Sequence, residues 1–195
     1  MTANEMRTTI REMEWEELVK TWKKRNNKPF LDKWGLGKFF EYAIIRAFEI
    51  EGAQVRYPYE VNSRHMCNVR NTVIEQIDGV IYVDGLCVIA ESKDFTRSKV
   101  DIEPLAKLQI RLKRRPSLVI GCLFCASDFT WPAQALIESL MPHTILLWNK
   151  SDIEHCFKNR CFISGLQLKY KSVIEDGNHI LDLSTYAQIT NEKQI

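Results

Sequence analysis

The sequence is short of the features that would place it in a specialised class. No apolar run approaches the roughly 18 residues of a membrane span, and residues 1–11 are polar, with no apolar signal core. An intracellular, cytoplasmic protein without membrane association is therefore expected. No internal repeat, low-complexity tract or linker interrupts the chain. Its 27 Lys and Arg against 25 Asp and Glu leave a net charge of +2, too small to name a partner, so the distribution of charge matters more than the sum. A strong metal motif is also lacking. The six cysteines are scattered, and the one CxxC, Cys122 to Cys125, lies inside an apolar run of strand character. Four residues separate Cys156 from Cys161. Zinc held by these four thiols is an alternative, but free core thiols are the expected state.

What is present is ordinary for a globular protein: 195 residues, 45% hydrophobic and 27% charged. That length is most simply one domain, 1–195, with a sizeable core. Its most informative stretch is Ile77 to Lys93. Asp84-Gly85 stands between two β-branched runs, the pattern of a two-residue hairpin turn whose central residues both need φ > 0. That turn fixes the register. Val83 pairs with Leu86, Tyr82 with Cys87, Ile81 with Val88, Val80 with Ile89 and Gly79 with Ala90. The next pair is Asp78 opposite Glu91, and Lys93 shares their face because side chains alternate with period two. Like charges directly opposed are destabilising, but two such carboxylates can chelate a hard cation through oxygen. A solvated hairpin end is the plainer reading. Against it, Val80, Tyr82, Cys87 and Ile89 make the rest of that face apolar.

Around this hairpin, periodicity organises the chain. Residues 8–25 read as a charged amphipathic helix and 35–51 as a helix apolar nearly all round, with Gly52 at its end. Lys38, Arg46 and Glu49 form the wet stripe of the second helix. Glu41 instead projects beside Ile44, Ile45 and Phe48, where a carboxylate seldom lies without a partner. Residues 54–60 read as a short strand carrying Pro58, and 62–71 as a polar loop with Arg64, His65 and Arg70. The first hairpin strand begins near Thr72. A polar loop with Arg97 and Lys99 follows Lys93. Asp101 then caps a helix that buries Leu105, Leu108 and Leu112 and presents Lys107, Arg111 and Arg114 on another stripe. That basic stripe, directly after the acidic cluster, is read as a phosphate-contacting face together with Arg64, Arg70, Arg97 and Lys99. Strand 118–124, a helix from Trp131, strand 144–148 and a helix from Ser151 point to a parallel-leaning sheet covered by helices. Residues 166–183 read as a closing hairpin around Asp176-Gly177-Asn178.

A helix glutamate, a strand aspartate, a hairpin, Glu91-Ser92-Lys93, a helix and a strand, in that order, resemble the PD-(D/E)XK nuclease superfamily. Gly37-Lys38-Phe39-Phe40-Glu41 and the strand after the basic helix are most similar to its Mrr-type restriction endonucleases. The likeness covers about residues 35–157. One departure is Ile77, where the family motif has proline before the aspartate. The resemblance implies an α/β fold, a restriction-endonuclease-like central mixed β-sheet flanked by helices. It implies metal-dependent hydrolysis of phosphodiesters, most simply by a DNA endonuclease of restriction or repair type, with RNA left open. On this resemblance Asp78, Glu91 and the Ser92 backbone carbonyl would hold Mg²⁺, with Mn²⁺ able to substitute, and Glu41 would complete the acidic site. Lys93 would orient the attacking water. Gln109, on the following helix, matches a supporting glutamine of some relatives, and Gln76, opposite Lys93 in the expected register, competes for that role. A homodimer would give double-strand cutting, and a partner protein could supply specificity. The alternative is a non-cleaving nucleic-acid-binding or scaffold module on the same fold.

Overall fold

Asp84 and Gly85 adopt φ of 49° and 80°, so the expected two-residue turn forms. It joins β4 (Gly79–Val83) to β5 (Leu86–Lys93) in the anticipated register, from Val83 opposite Leu86 to Gly79 opposite Ala90. The computed structural model describes residues 2–27, 30, 33–34, 37–63, 72–139 and 144–186. Around the hairpin a five-stranded mixed sheet is built in the order β1-β4-β5-β6-β7, with β1 (Gln54–Arg56), β6 (Val119–Cys125) and β7 (Ile145–Trp148). β1 and β5 flank β4 antiparallel, while β5, β6 and β7 run parallel. No helix among the described residues is long and apolar enough to cross a membrane.

The strand expected from Thr72 is two strands. β3 (Val73–Ile77) pairs with β2 (Tyr59–Asn62) in a separate two-stranded sheet. Arg56↔Val80 and Tyr59↔Ile77 belong to one register, so a single antiparallel ribbon bends where Tyr57-Pro58 faces Asp78-Gly79. Proline has no N–H to give the ladder, which explains a break there. The bend moves Gln76 opposite Glu60, exposed and away from Lys93, correcting its expected pairing.

Helices cover both faces. On one side α1 (Ala3–Glu12), α2 (Trp15–Lys23), α3 (Lys38–Ile50), α6 (Lys150–Asn159) and α7 (Phe162–Asp176) enclose an aromatic core; Trp22 stacks on Phe157 at 4.3 Å and Phe48 meets Trp148 edge-on at 6.2 Å. On the other, α4 (Ile102–Leu112) and α5 (Trp131–Ile137) bury Leu105, Leu108, Leu112 and Ile137 against Leu123 and Leu147. The N-terminal segment is two helices rather than one. The chain breaks at Met13-Glu14, where Arg46 donates from Nε and Nη2 to the Met13 carbonyl at 3.0 and 2.9 Å. The supposed wet stripe of α3 is thus partly covered, since Arg46 also pairs with Glu49 at 2.8 Å.

The C-terminal hairpin is not formed; residues 162–176 are helix α7. Gly177 (φ 67°) ends it, its N–H reaching the Val173 carbonyl while that of Asn178 reaches Ser172. Asp-Gly suits either motif because both need a left-handed residue. Lys169 disguised the helical period. It is 1% exposed, with its ammonium 2.8 Å from Asp152 Oδ2 and 5.4 Å from the Trp148 ring centroid. α7 also touches two other elements. Glu51 accepts the Phe162 and Ile163 N–H groups, both at 2.9 Å, and Gln167 donates to Asp84 at the hairpin tip at 2.6 Å.

α3 crosses the ribbon at its bend. A Cβ on Gly79 would stand 2.2 Å from Ile45 Cδ1, and Ile45 is 1% exposed with nowhere to retreat. Gly79→Ala is expected to lower unfolding free energy by about 1–3 kcal/mol through overpacking. Adding Ile45→Val should recover part of the loss. Denaturant titration of the parent and the two variants measures this, and a Gly79→Ala protein as stable as the parent would refute the contact.

Candidate functional site

The ladder between β4 and β5 ends at Gly79–Ala90, and Asp78 lies one residue beyond, at the bend. Its carboxylate Oδ2 accepts the Ser92 backbone N–H at 2.9 Å, fastening the bend to β5. Glu91 and Lys93 follow on β5, with Lys93 Nζ 2.6 Å from Glu91 Oε1. Asp78 is 7% exposed and Glu91 3%, so both carboxylates are buried. Val80 and Ile89 continue their face as buried residues, Tyr82 near the turn is exposed, and Lys93 at the far end is half-buried.

Glu41 comes from the first turn of α3, its Oε2 2.8 Å from Lys38 Nζ. Burial raises the Glu41 carboxyl above the ordinary glutamate range, against the pull of Lys38 and Lys93, and Glu91 adds to the rise. Asp78 is pushed up to about 7, first by burial and then by Glu91 and Glu41, while the Ser92 N–H and Lys93 oppose the shift. Glu41, Asp78, Glu91 and Lys93 therefore share one electrostatic site, although they come from a helix, a bend and a strand.

The basic helix does not present the open face expected of it. Arg111 Nη1 hydrogen-bonds Glu91 Oε2, and its Nε lies 3.4 Å from Glu75 Oε1. Glu75, on β3, also meets Arg114 at 3.1 Å and Arg115 at 2.8 Å. Lys107 is exposed but paired with Glu103 at 2.6 Å. The arginines face inward because a buried carboxylate on β3 requires countercharge. Glu75 was missed from the sequence. Its signal was available: Arg111, Arg114 and Arg115 crowd one helix end, and Glu75 shares its strand face with the fully buried Ile77.

Other expected residues are more dispersed. Gln109 is half-buried on α4 and, among the described residues, makes no side-chain hydrogen bond to Asp78, Glu91 or Lys93; Arg111 takes the Glu91 contact instead. Arg97 is exposed, and Lys99 is exposed and paired with Asp128 at 2.8 Å. Arg64 and Arg70, with His65 and Cys67, lie outside the described residues. Cys122 and Cys125 fall on opposite faces of β6, one in each core, so they cannot chelate together. Cys156 and Cys161 lie 3.6 Å apart, sulfur to sulfur.

Among the described residues, no three His, Cys, Asp or Glu side chains stand arranged to hold an ion. The donor set at the hairpin nevertheless suits a hard cation: oxygen only, negative, and with burial and then the neighbouring carboxylates raising the Asp78 pKa. Cationic groups of the protein, Lys93 and Arg111, engage both oxygens of Glu91.

No protein-family model matches the chain, and no curated protein does. Solved structures do. The MspJI restriction endonuclease in complex with a 27-mer oligonucleotide is 18% identical, with a TM-score of 0.42, over 83% of this chain and 35% of its own. The DNA modification-dependent restriction endonuclease AspBHI is 14% identical, with a TM-score of 0.38, over 80% of this chain and 38% of its own. AF1548, a protein of unknown function, is 16% identical, with a TM-score of 0.43, over 55% and 56%. The similarity thus spans between about a third and just over half of the length of these structures.

The raised Asp78 carboxyl carries a pH signature. Its folded value, about 7, exceeds the unfolded one near ~3.9, so between them the folded state holds a proton that the unfolded chain has released. This contribution is present in full below about pH 4 and is lost as pH rises through about 7. In EDTA, the melting temperature should fall between pH 5 and 7.5. Asp78→Asn should lack that part of the fall, and parallel curves for the two proteins would contradict the assignment.

Proposed function

We propose that this chain is a metal-dependent nuclease hydrolysing phosphodiester bonds, a DNA endonuclease of the PD-(D/E)XK type with its nearest likeness in the Mrr-type branch. The observation that carries the reading is the meeting of Asp78, Glu91 and Lys93 at one buried sheet end with Glu41 delivered by α3. Two carboxylates and an ammonium from a bend and the adjacent strand have no need to be buried together for the fold alone, because buried charge is weak support for stability.

In this reading Asp78, Glu91 and the Ser92 backbone carbonyl would hold Mg²⁺, with Mn²⁺ able to substitute, and Glu41 would complete the acidic set. The ion would supply Lewis acidity and positive charge, letting an anionic nucleophile approach an anionic phosphodiester. Lys93 does the remaining work. Its ammonium, held beside Glu91, orients the incoming water and donates a hydrogen bond to the phosphate as charge develops. Asp78 holds β5 in position through the Ser92 N–H, so the ligand and the ammonium keep a fixed spacing. We place the substrate backbone along the polar depression whose charged lining is Arg97, Lys99 and Lys150 with Asp128 and Glu154. That depression lies at the C-terminal ends of the parallel strands β5, β6 and β7, where α/β sheets commonly receive ligands. Double-strand cutting would require a second copy, and sequence recognition comes from the loops or a partner protein.

A non-cleaving nucleic-acid-binding module is the second reading, favoured by the engagement of both Glu91 oxygens with protein cations. One assay separates the two. Supercoiled, linear and single-stranded DNA, and RNA, are incubated with Mg²⁺, Mn²⁺ or EDTA. Cleavage of DNA is expected with metal and not in EDTA. Asp78→Ala or Lys93→Ala should slow it by about 10²-fold or more. Cleavage surviving both substitutions would sink the mechanism, and binding without cleavage on every substrate would favour the module.

A further inference from the structure

Among the described residues, Arg111 touches both Glu91 and Glu75. It hydrogen-bonds Glu91 through Nη1 while Nε lies 3.4 Å from Glu75 Oε1, and its side chain is 16% exposed. Resting on the nuclease reading above, we propose that Arg111 is a built-in competitor for the divalent cation at Glu91, with Glu75 as the alternative seat for its guanidinium.

The argument is one of charge and of available oxygens. Glu91 offers two: Oε1 is bonded to Lys93 and Oε2 to Arg111. A magnesium-sized ion needs a carboxylate oxygen at about 2.0–2.1 Å, and a guanidinium on that same oxygen repels it as a like charge. Ion binding at Oε2 and the Arg111–Glu91 contact therefore oppose one another. The arginine has to move, and Glu75 gives it a destination. Glu75 is buried on β3 and held in place by Arg114 and Arg115, at 3.1 and 2.8 Å. With Nε already beside Glu75, the exchange calls for side-chain torsions rather than backbone motion. Glu75 is thus a positioning residue. It sets how firmly Arg111 holds Glu91, and linkage makes the ion and the arginine contact weaken each other equally.

The two residues should then act with opposite sign on metal affinity. Mn²⁺ binding to the 195-residue chain is measured by calorimetry and by the electron paramagnetic resonance signal of free ion, without substrate. Arg111→Gln should bind Mn²⁺ at least about fivefold more tightly than the parent. Glu75→Gln, which removes the alternative seat, should bind it more weakly. Arg111→Lys should fall between parent and Arg111→Gln, and serves if Arg111→Gln does not fold. Asp78→Asn identifies the site by losing the binding. Parent-like or weaker affinity in both Arg111 variants, with Asp78-dependent binding intact, overturns the competitor role and leaves the nuclease reading standing. Mn²⁺ binding that is absent in the parent but present in Arg111→Gln supports it most strongly. No Asp78-dependent binding in any variant removes the metal site and this proposal with it.

Discussion

The contact between Gly79 and Ile45 is the constraint on which the carboxylate end of the sheet depends. Because position 79 has no Cβ, α3 can lie directly against the ribbon where it bends. That closeness brings Glu41 from a helix to the same place as Asp78 from the bend. It also buries the carboxylates, and burial is the first cause of the raised pKa of both Glu41 and Asp78. A bulkier residue would separate helix and ribbon, opening the site to water and lowering its electrostatic tension. Geometry and electrostatics here have one origin.

Counter-charge then decides what that buried end can tolerate. Lys38 meets Glu41, Lys93 meets Glu91, and Arg111 bridges toward Glu75, itself matched by two further arginines. A buried carboxylate left alone would neutralise or destabilise the fold. The result is an alternating lattice of acid and base across β3, β5, α3 and α4. The Asp152–Lys169 pair obeys the same rule on the other side of the sheet, where its role is to join α6 to α7. Burying charge thus serves assembly in one place and concentrates chemistry in another, and the difference lies in how many acids crowd together.

Much of this was legible in the sequence wherever the deciding interactions are local. Asp84-Gly85 set the hairpin register because a two-residue turn permits only one, from Val83–Leu86 to Gly79–Ala90; the expected Asp78–Glu91 pair falls beyond the end of that ladder, where Asp78 bonds the Ser92 N–H instead. The apolar girth of α3 announced its burial, and the isolated Glu41 announced a need for partners. Where long-range partners decide, the reading failed. Glu75 is explained by arginines 36 to 40 residues later, so Arg111 and Arg114 looked like an outer face. Gln76 was misplaced because nothing local marks Asp78 as the point where the ribbon changes sheets. Lys169 sits in a core stripe where a lysine is unexpected, and α7 was read as strands. The break at Met13-Glu14 depends on Arg46, 33 residues away.

Helix α3 carries an acid near each end. Glu41 reaches the carboxylate cluster, and Glu51, just past the last turn, takes the two N–H groups that begin α7. They are separated by ten positions, a rise of about 15 Å. Each residue also turns the helix by about 100°. Inserting or deleting a single residue between them would rotate one acid away from its partners whichever end stayed in place. Substitutions along this helix can be absorbed one at a time, but its length cannot drift. In a lineage of such chains, α3 would act as a ruler, fixed in residue count while the loops around it change.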